Sequence, residues 1–187
     1  MAIAVVAGLL LAVGQSTAAE APARSGFVAQ AQAAGLSDGQ AAALQNKVDG
    51  YLTELGDKGT QVSPNQIDMG GAVLNVTVPG ESQPRQLVRA GRAEYQVAAC
   101  DDYWALDGWF CAYRGQWGTG DVIGMYTCDN YFIPWRGEGS WMNNQTPGTA
   151  PTLHWVDSMR PPWKMPAAFS MQGYHVDWAP VHSITNC

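Results

Sequence analysis

The chain has 187 residues, 14% of them charged, and a formal net charge of −6. That length suits one ordinary domain or two small ones. With no basic block anywhere, the composition argues against a nucleic-acid partner, and the acidity serves mainly solubility.

Ala2 to Val13 is an apolar run, followed by the small residues Ser16, Ala18 and Ala19. A bilayer takes about 20 apolar residues, so the run is too short to span one. It has the form of a signal-peptide core with its cleavage region, and residues 1–19 are expected to be a signal peptide. The basic segment that normally precedes such a core is missing, which points to a start further upstream. No later segment is apolar enough to cross a membrane, so the mature form is expected to be secreted, extracellular and monomeric.

Residues 25–80 are expected to form a helix-plus-hairpin unit. Ser25 to Ala34 is alanine-rich and suits a turn or two of helix that Gly35 stops. A stronger helix begins at Ser37, where Ser37 and Gln40 have the spacing of a capping box. Leu44, Val48, Tyr51, Leu52 and Leu55 fall on one face at helical spacing, and Gly56 is a fitting stop. Thr60 to Val62 and Ala72 to Val78 are candidate strands, the second alternating Leu74, Val76 and Val78 against Asn75 and Thr77. The helical stripe is expected to lie on this hairpin. A unit of this size is marginal alone, so docking on the rest of the chain is expected. Residues 81–94, with Arg85, Arg89 and Arg92, are expected to be a solvated linker.

Composition changes sharply near residue 93: all eight tryptophans and all four cysteines lie beyond it. Short apolar runs recur at Trp109 to Tyr113, Val122 to Tyr126, Tyr131 to Pro134, Thr152 to Val156 and Val181 to Thr185, separated by Gly, Asn and Pro. Many short strands with glycine-rich turns predict an all-β sandwich or barrel over residues 95–187. The fold class is therefore α+β overall. Gly115 to Gly120 matches no phosphate-binding fingerprint and suits a hairpin connection with positive φ angles. The cysteines lie 11, 17 and 59 residues apart with no Cys-x-x-Cys pair. In a secreted chain this means two disulfides, with three pairings open.

Cys111-Ala-Tyr113-Arg-Gly115-Gln-Trp-Gly-Thr-Gly120, preceded by Cys100 and Gly108-Trp109-Phe110, resembles the opening hairpin of the streptomycete metalloproteinase inhibitor family. Gly137-Glu-Gly-Ser-Trp141-Met-Asn143-Asn144-Gln-Thr146-Pro-Gly148 is similar to a segment of secreted actinobacterial members of that group. The resemblance covers residues 100–150 well and the remainder loosely. It implies a disulfide-stapled Greek-key, βγ-crystallin-like domain, inhibition of a secreted peptidase, and the pairings Cys100–Cys111 and Cys128–Cys187. The family's disulfide-closed inhibitory loop has no counterpart here, so its inhibitory residues do not carry over.

Among chemistry-bearing residues, His175 and Asp177 would share a strand face, but with His154 and His182 they match no metalloprotease spacing. Asp101, Asp102 and Asp107, with Asp121 and Asp129, offer oxygens for calcium but no 12-residue calcium loop. Ser140 and Ser158 lack a nucleophile-elbow context. No catalytic residue, metal site or cofactor is therefore expected. The segment Arg136 to Gly148 is the candidate partner-binding loop, with Arg136, Ser140, Trp141, Met142, Asn143 and Asn144 facing a peptidase. The plainer reading is that Trp141 closes the end of the sandwich. The expected function is peptidase inhibition by reversible loop occlusion. The alternative is an extracellular calcium-, glycan- or cell-wall-binding β module without catalysis.

Overall fold

The computed structural model describes residues 20–87, 97–100 and 103–187. The expected signal peptide at 1–19, linker residues 88–94 with Arg89 and Arg92, and Asp101 and Asp102 lie outside the described residues.

Two helices open the described chain, α1 (Glu20–Ala33) and α2 (Asp38–Leu55). The first runs longer than the turn or two expected for it. At α2 the capping box is complete: the Ser37 hydroxyl accepts from the Gln40 N–H, and the Gln40 side chain accepts from the Ser37 N–H. Each bond satisfies an amide with no helical partner. Gly56 ends the helix at φ 59°. Ala41, Leu44, Val48, Tyr51 and Leu55 are buried along one face.

Eleven strands follow among the described residues: β1 (Thr60–Ser63), β2 (Gln66–Asp68), β3 (Ala72–Asn75), β4 (Trp109–Tyr113), β5 (Val122–Met125), β6 (Asn130–Phe132), β7 (Glu138–Asn144), β8 (Thr152–Trp155), β9 (Trp163–Lys164), β10 (Ser170–Asp177) and β11 (Val181–Thr185). They form a seven-stranded sheet, ordered β1-β2-β3-β5-β4-β7-β10, and a four-stranded sheet, ordered β6-β11-β8-β9. Every pairing is antiparallel. The chain is thus an α+β protein of mainly antiparallel sheet with two disulfides, Cys100–Cys111 and Cys128–Cys187.

The larger sheet runs across the composition change near residue 93. Strand β3 pairs with β5, from Ala72 opposite Met125 to Asn75 opposite Val122. All four β3 residues are buried. Such a strand exposes an unpaired backbone edge on each side, and β2 and β5 satisfy the two edges. The helix-plus-hairpin unit therefore docks by strand pairing. It also shares one core: Leu44, Val48, Ile67 and Leu74 belong to the same cluster as Phe110, Ile123, Trp135, Trp141, Trp178 and Ile184.

The structure departs from two expectations. Residues 81–87 are not a free tether. Leu87 is buried, the Ser82 carbonyl accepts from the Gly120 N–H at 2.7 Å, and the Arg85 carbonyl accepts from the Asn65 amide at 2.9 Å. Arg85 itself pairs with Glu81. Second, the segment from residue 136 to 148 is not mainly a loop, because Glu138–Asn144 is β7, between β4 and β10. Its alternation is hidden because both faces are covered, so polar and apolar residues alike are buried.

Candidate functional site

The expected partner-facing residues sit mostly inside. Trp141 is 2% exposed and stacks on Phe110 with ring centroids 6.0 Å apart. Met142 is buried, and its sulfur accepts from the Ala105 N–H. Ser140 is buried; its hydroxyl donates to the Gly115 carbonyl at 2.8 Å and accepts from the Gly118 N–H at 2.9 Å. Asn143, also buried, donates to the Thr149 and Pro166 carbonyls, and half-buried Asn144 donates to the Ala105 carbonyl. Arg136 is exposed but turned onto the Trp135 and Val181 carbonyls. These side chains hold the turns around β7 together. Ser140, Trp141, Met142 and Asn143 offer a partner no accessible surface.

The histidines have separate roles. His154 contacts the Thr185 hydroxyl at 2.8 Å, and the His182 ring lies edge-on to Phe132. A register break between Gln172 and Val176 interrupts the alternation that would align His175 with Asp177. His175 meets Glu138 at 3.1 Å, while Asp177 accepts from the Ala179 N–H. Asp107 and Asp129 are exposed, whereas Asp121 is fully buried. A half-open cleft of about 460 Å³ between the end of α2 and β6 includes Asp57, Asp68 and Asp129 in its lining. Among the described residues, no group of three or more His, Cys, Asp or Glu side chains is placed to hold a metal ion.

Asp121 is a structural centre that sequence reasoning missed. Its Oδ1 accepts from the Lys47 ammonium at 2.6 Å, the Thr77 N–H at 2.8 Å and the Thr77 hydroxyl at 2.7 Å. Its Oδ2 accepts from the Tyr51 hydroxyl and, at 3.3 Å, from Arg114. Burial by itself would raise the pKa of this carboxyl. The hydrogen bonds from Lys47, Tyr51 and Thr77, with the Lys47 charge, outweigh burial and hold it below its ordinary value. Tyr51 is pushed up, first by burial and then by the Asp121 charge. Both Thr77 donors go to Asp121 from just beyond the end of β3. The knot joins α2 to β5 and carries no open face for a substrate.

Two accessible features remain. The first is the β8–β9 connection, residues 156–162, exposed throughout, with Met159 at its tip 88% exposed. It is braced from within. Asp157 accepts from the Met159 N–H at 2.9 Å through its side chain and from the Arg160 N–H at 3.1 Å through its carbonyl. The Trp155 indole N–H donates to the Pro161 carbonyl at 2.8 Å, and the Arg160 guanidinium lies 3.5 Å over the Trp155 ring. Pro161 and Pro162 restrict φ where the chain turns back into β9.

The second is an aromatic face beside β10. Trp104 and Phe169 meet at 5.8 Å, and Trp117 and Tyr174 at 5.4 Å, with all four rings at least half exposed.

The chain matches no family model, no curated protein and no solved structure. Each of the two surfaces had a partial signal in the sequence: a Met-Arg-Pro-Pro run between two tryptophans, and a glycine next to each of Trp117 and Tyr174. Neither run predicts which rings stay exposed, since that depends on which sheet face is covered. The two disulfides suit an oxidising, extracellular environment, and among the described residues no helix is long and apolar enough to cross a membrane.

Proposed function

We propose that this chain is a secreted peptidase inhibitor of the streptomycete metalloproteinase inhibitor type, and that the loop of residues 156–162 is its reactive segment. The carrying observation is the exposure of Met159 on a loop whose backbone is held by Asp157, Trp155 and two prolines. An ordered loop loses little conformational entropy on docking, so more of the contact energy appears as affinity. A long unbranched apolar side chain at the tip suits the apolar subsite of a thermolysin-like or subtilisin-like enzyme. The mechanism is reversible occlusion of the cleft. The inhibitor makes no covalent bond and needs no cofactor.

The topology from β4 onward supports the Greek-key, βγ-crystallin-like part of this reading. Strand β7 returns beside β4, and β11 returns beside β8. The third strand of each set of four, β6 or β10, lies in the opposite sheet.

The test is residual activity of a thermolysin-like metallopeptidase and of subtilisin- and chymotrypsin-like serine peptidases, titrated with the protein. We expect inhibition in the micromolar range or below by the intact protein, weakened at least tenfold by Met159→Asp with unchanged thermal stability. Unaffected activity across the panel at micromolar protein would overturn the proposal.

A further inference from the structure

Three non-glycine residues adopt positive φ among the described residues: Tyr103 at 58°, Trp117 at 52° and His175 at 54°. All three border the same face. Tyr103 and Trp117 are in ring contact at 6.0 Å, Trp117 contacts Tyr174, and Tyr174 contacts His175. A left-handed conformation is unfavourable for bulky side chains, and such residues persist where the surrounding structure imposes them, which is often at a binding site.

The imposition can be traced. Trp117 sits in the turn between β4 and β5, which Ser140 pins from the middle of the sheet. Its ring lies over Gly173, where a Cβ would come within 2.5 Å of the indole. Glycine there gives the ring its seat, and the break in the β10 register turns Tyr174 outward beside it. Strain and a missing side chain are thus combined to present Trp117 58% exposed.

We propose that this face is a binding site for a neutral polysaccharide, with Trp104 and Phe169 forming one stacking platform and Trp117 and Tyr174 another. Pyranose rings present flat C–H faces that lie on aromatic rings, and their hydroxyls need donors and acceptors at the ring edges. The rim supplies both. Glu138 holds His175 at 3.1 Å and accepts from Gln116.

Charge favours a neutral ligand. No lysine or arginine is among these residues, and the protein's net charge of −6 opposes an anionic polymer or membrane. Size argues against a second copy of the chain. Trp104, Phe169, Met171, Trp117 and Tyr174 are each 50–58% exposed. At on the order of 100 Å² apiece they make a patch of roughly 500 Å². A stable protein interface takes about 800 Å² per partner.

The intact protein would be incubated with insoluble chitin and cellulose, and titrated with soluble chitohexaose while its tryptophan fluorescence is followed. We expect retention on at least one polysaccharide, and loss of at least tenfold in affinity for Trp117→Ala and for Tyr174→Ala. Trp163→Ala, which removes an exposed ring from the other sheet, should bind as the parent does. Met159→Asp should also bind as the parent does, which keeps this site separate from the peptidase-facing loop. Thermal melts identify any variant that fails to fold, and Gln116→Ala then provides a milder probe at the rim, expected to weaken binding. Equal retention of the Trp117 variant, no retention of the parent on either polysaccharide, or dimerisation through this face in light scattering would each refute the assignment.

Discussion

Replacing Asp121 by alanine removes the acceptor from five polar contacts at once: the Lys47 ammonium, the Thr77 N–H, the Thr77 hydroxyl, the Tyr51 hydroxyl and Arg114. These do not contribute equally. The Arg114 side chain is 49% exposed, so water screens that pair, and its loss costs roughly 0–1 kcal/mol. The Lys47 side chain is only 27% exposed and faces a carboxylate that is fully buried. Breaking such a pair from one side costs about 3–5 kcal/mol, because the remaining charge and the buried Thr77 N–H keep their desolvation cost without compensation. For a chain of this size each kcal/mol moves Tm by about 2–4 °C, so Asp121→Ala should melt roughly 6–20 °C below the parent.

The assay is thermal and urea unfolding at pH 7 in non-reducing buffer, with Arg114→Ala as the exposed control. The double change Lys47→Met with Asp121→Leu should recover part of the loss, since it removes both charges together. Hydrogen exchange adds a local readout. Lys47 and Tyr51 belong to α2 and Asp121 immediately precedes β5, so protection should fall along residues 41–55 before it falls in the strands β4 and β7. If Asp121→Ala melts within 2 °C of the parent, or no lower than Arg114→Ala, the knot is not what couples the helices to the sheet.

The same knot sets the pH response. Asp121 is held below its ordinary value of 3.8, so its contribution is complete above that pH and is lost as the pH falls through its folded value. Tyr51 is raised above 10.0, so its contribution is complete below pH 10 and is lost as the pH rises beyond it. Stability measured against pH should therefore fall at both ends, and Tyr51→Phe should flatten the alkaline limb. Trp141→Ala should destabilise by about 3–5 kcal/mol in urea unfolding, as expected for a fully packed aromatic, and should leave any peptidase inhibition by the folded fraction unchanged. Graded reduction followed by alkylation and mass spectrometry should open Cys128–Cys187 before Cys100–Cys111. The residues of the first are exposed, and those of the second are buried.

The local pattern of the chain determined its local structure. Ser37, Gln40 and Gly56 mark the ends of α2 because capping involves neighbours a few residues away. The runs from Trp109 to Tyr113 and from Val181 to Thr185 became strands with the expected bounds. The turn from Gly115 to Gly120 holds the expected positive φ angles at Gly118 and Gly120, though Trp117 just before them adopts one too. Cysteine content was enough to indicate an oxidising compartment, which the two disulfides suit.

Long-range pairing decided the rest. Glu138 to Asn144, polar at Glu138, Ser140, Asn143 and Asn144, has the composition of a loop. Once β4 and β10 flank it and both faces are covered, its polar side chains find buried carbonyls and its tryptophan enters the core. Asp121 has the same form in sequence as any turn carboxylate; only the meeting of α2, Thr77 and β5 makes it a buried anion with five donors. Which rings stay outside was settled the same way, by the faces the sheets left uncovered. Hydrophobicity and capping are encoded over a few residues, but burial is a property of what the distant parts of the chain place on top of them.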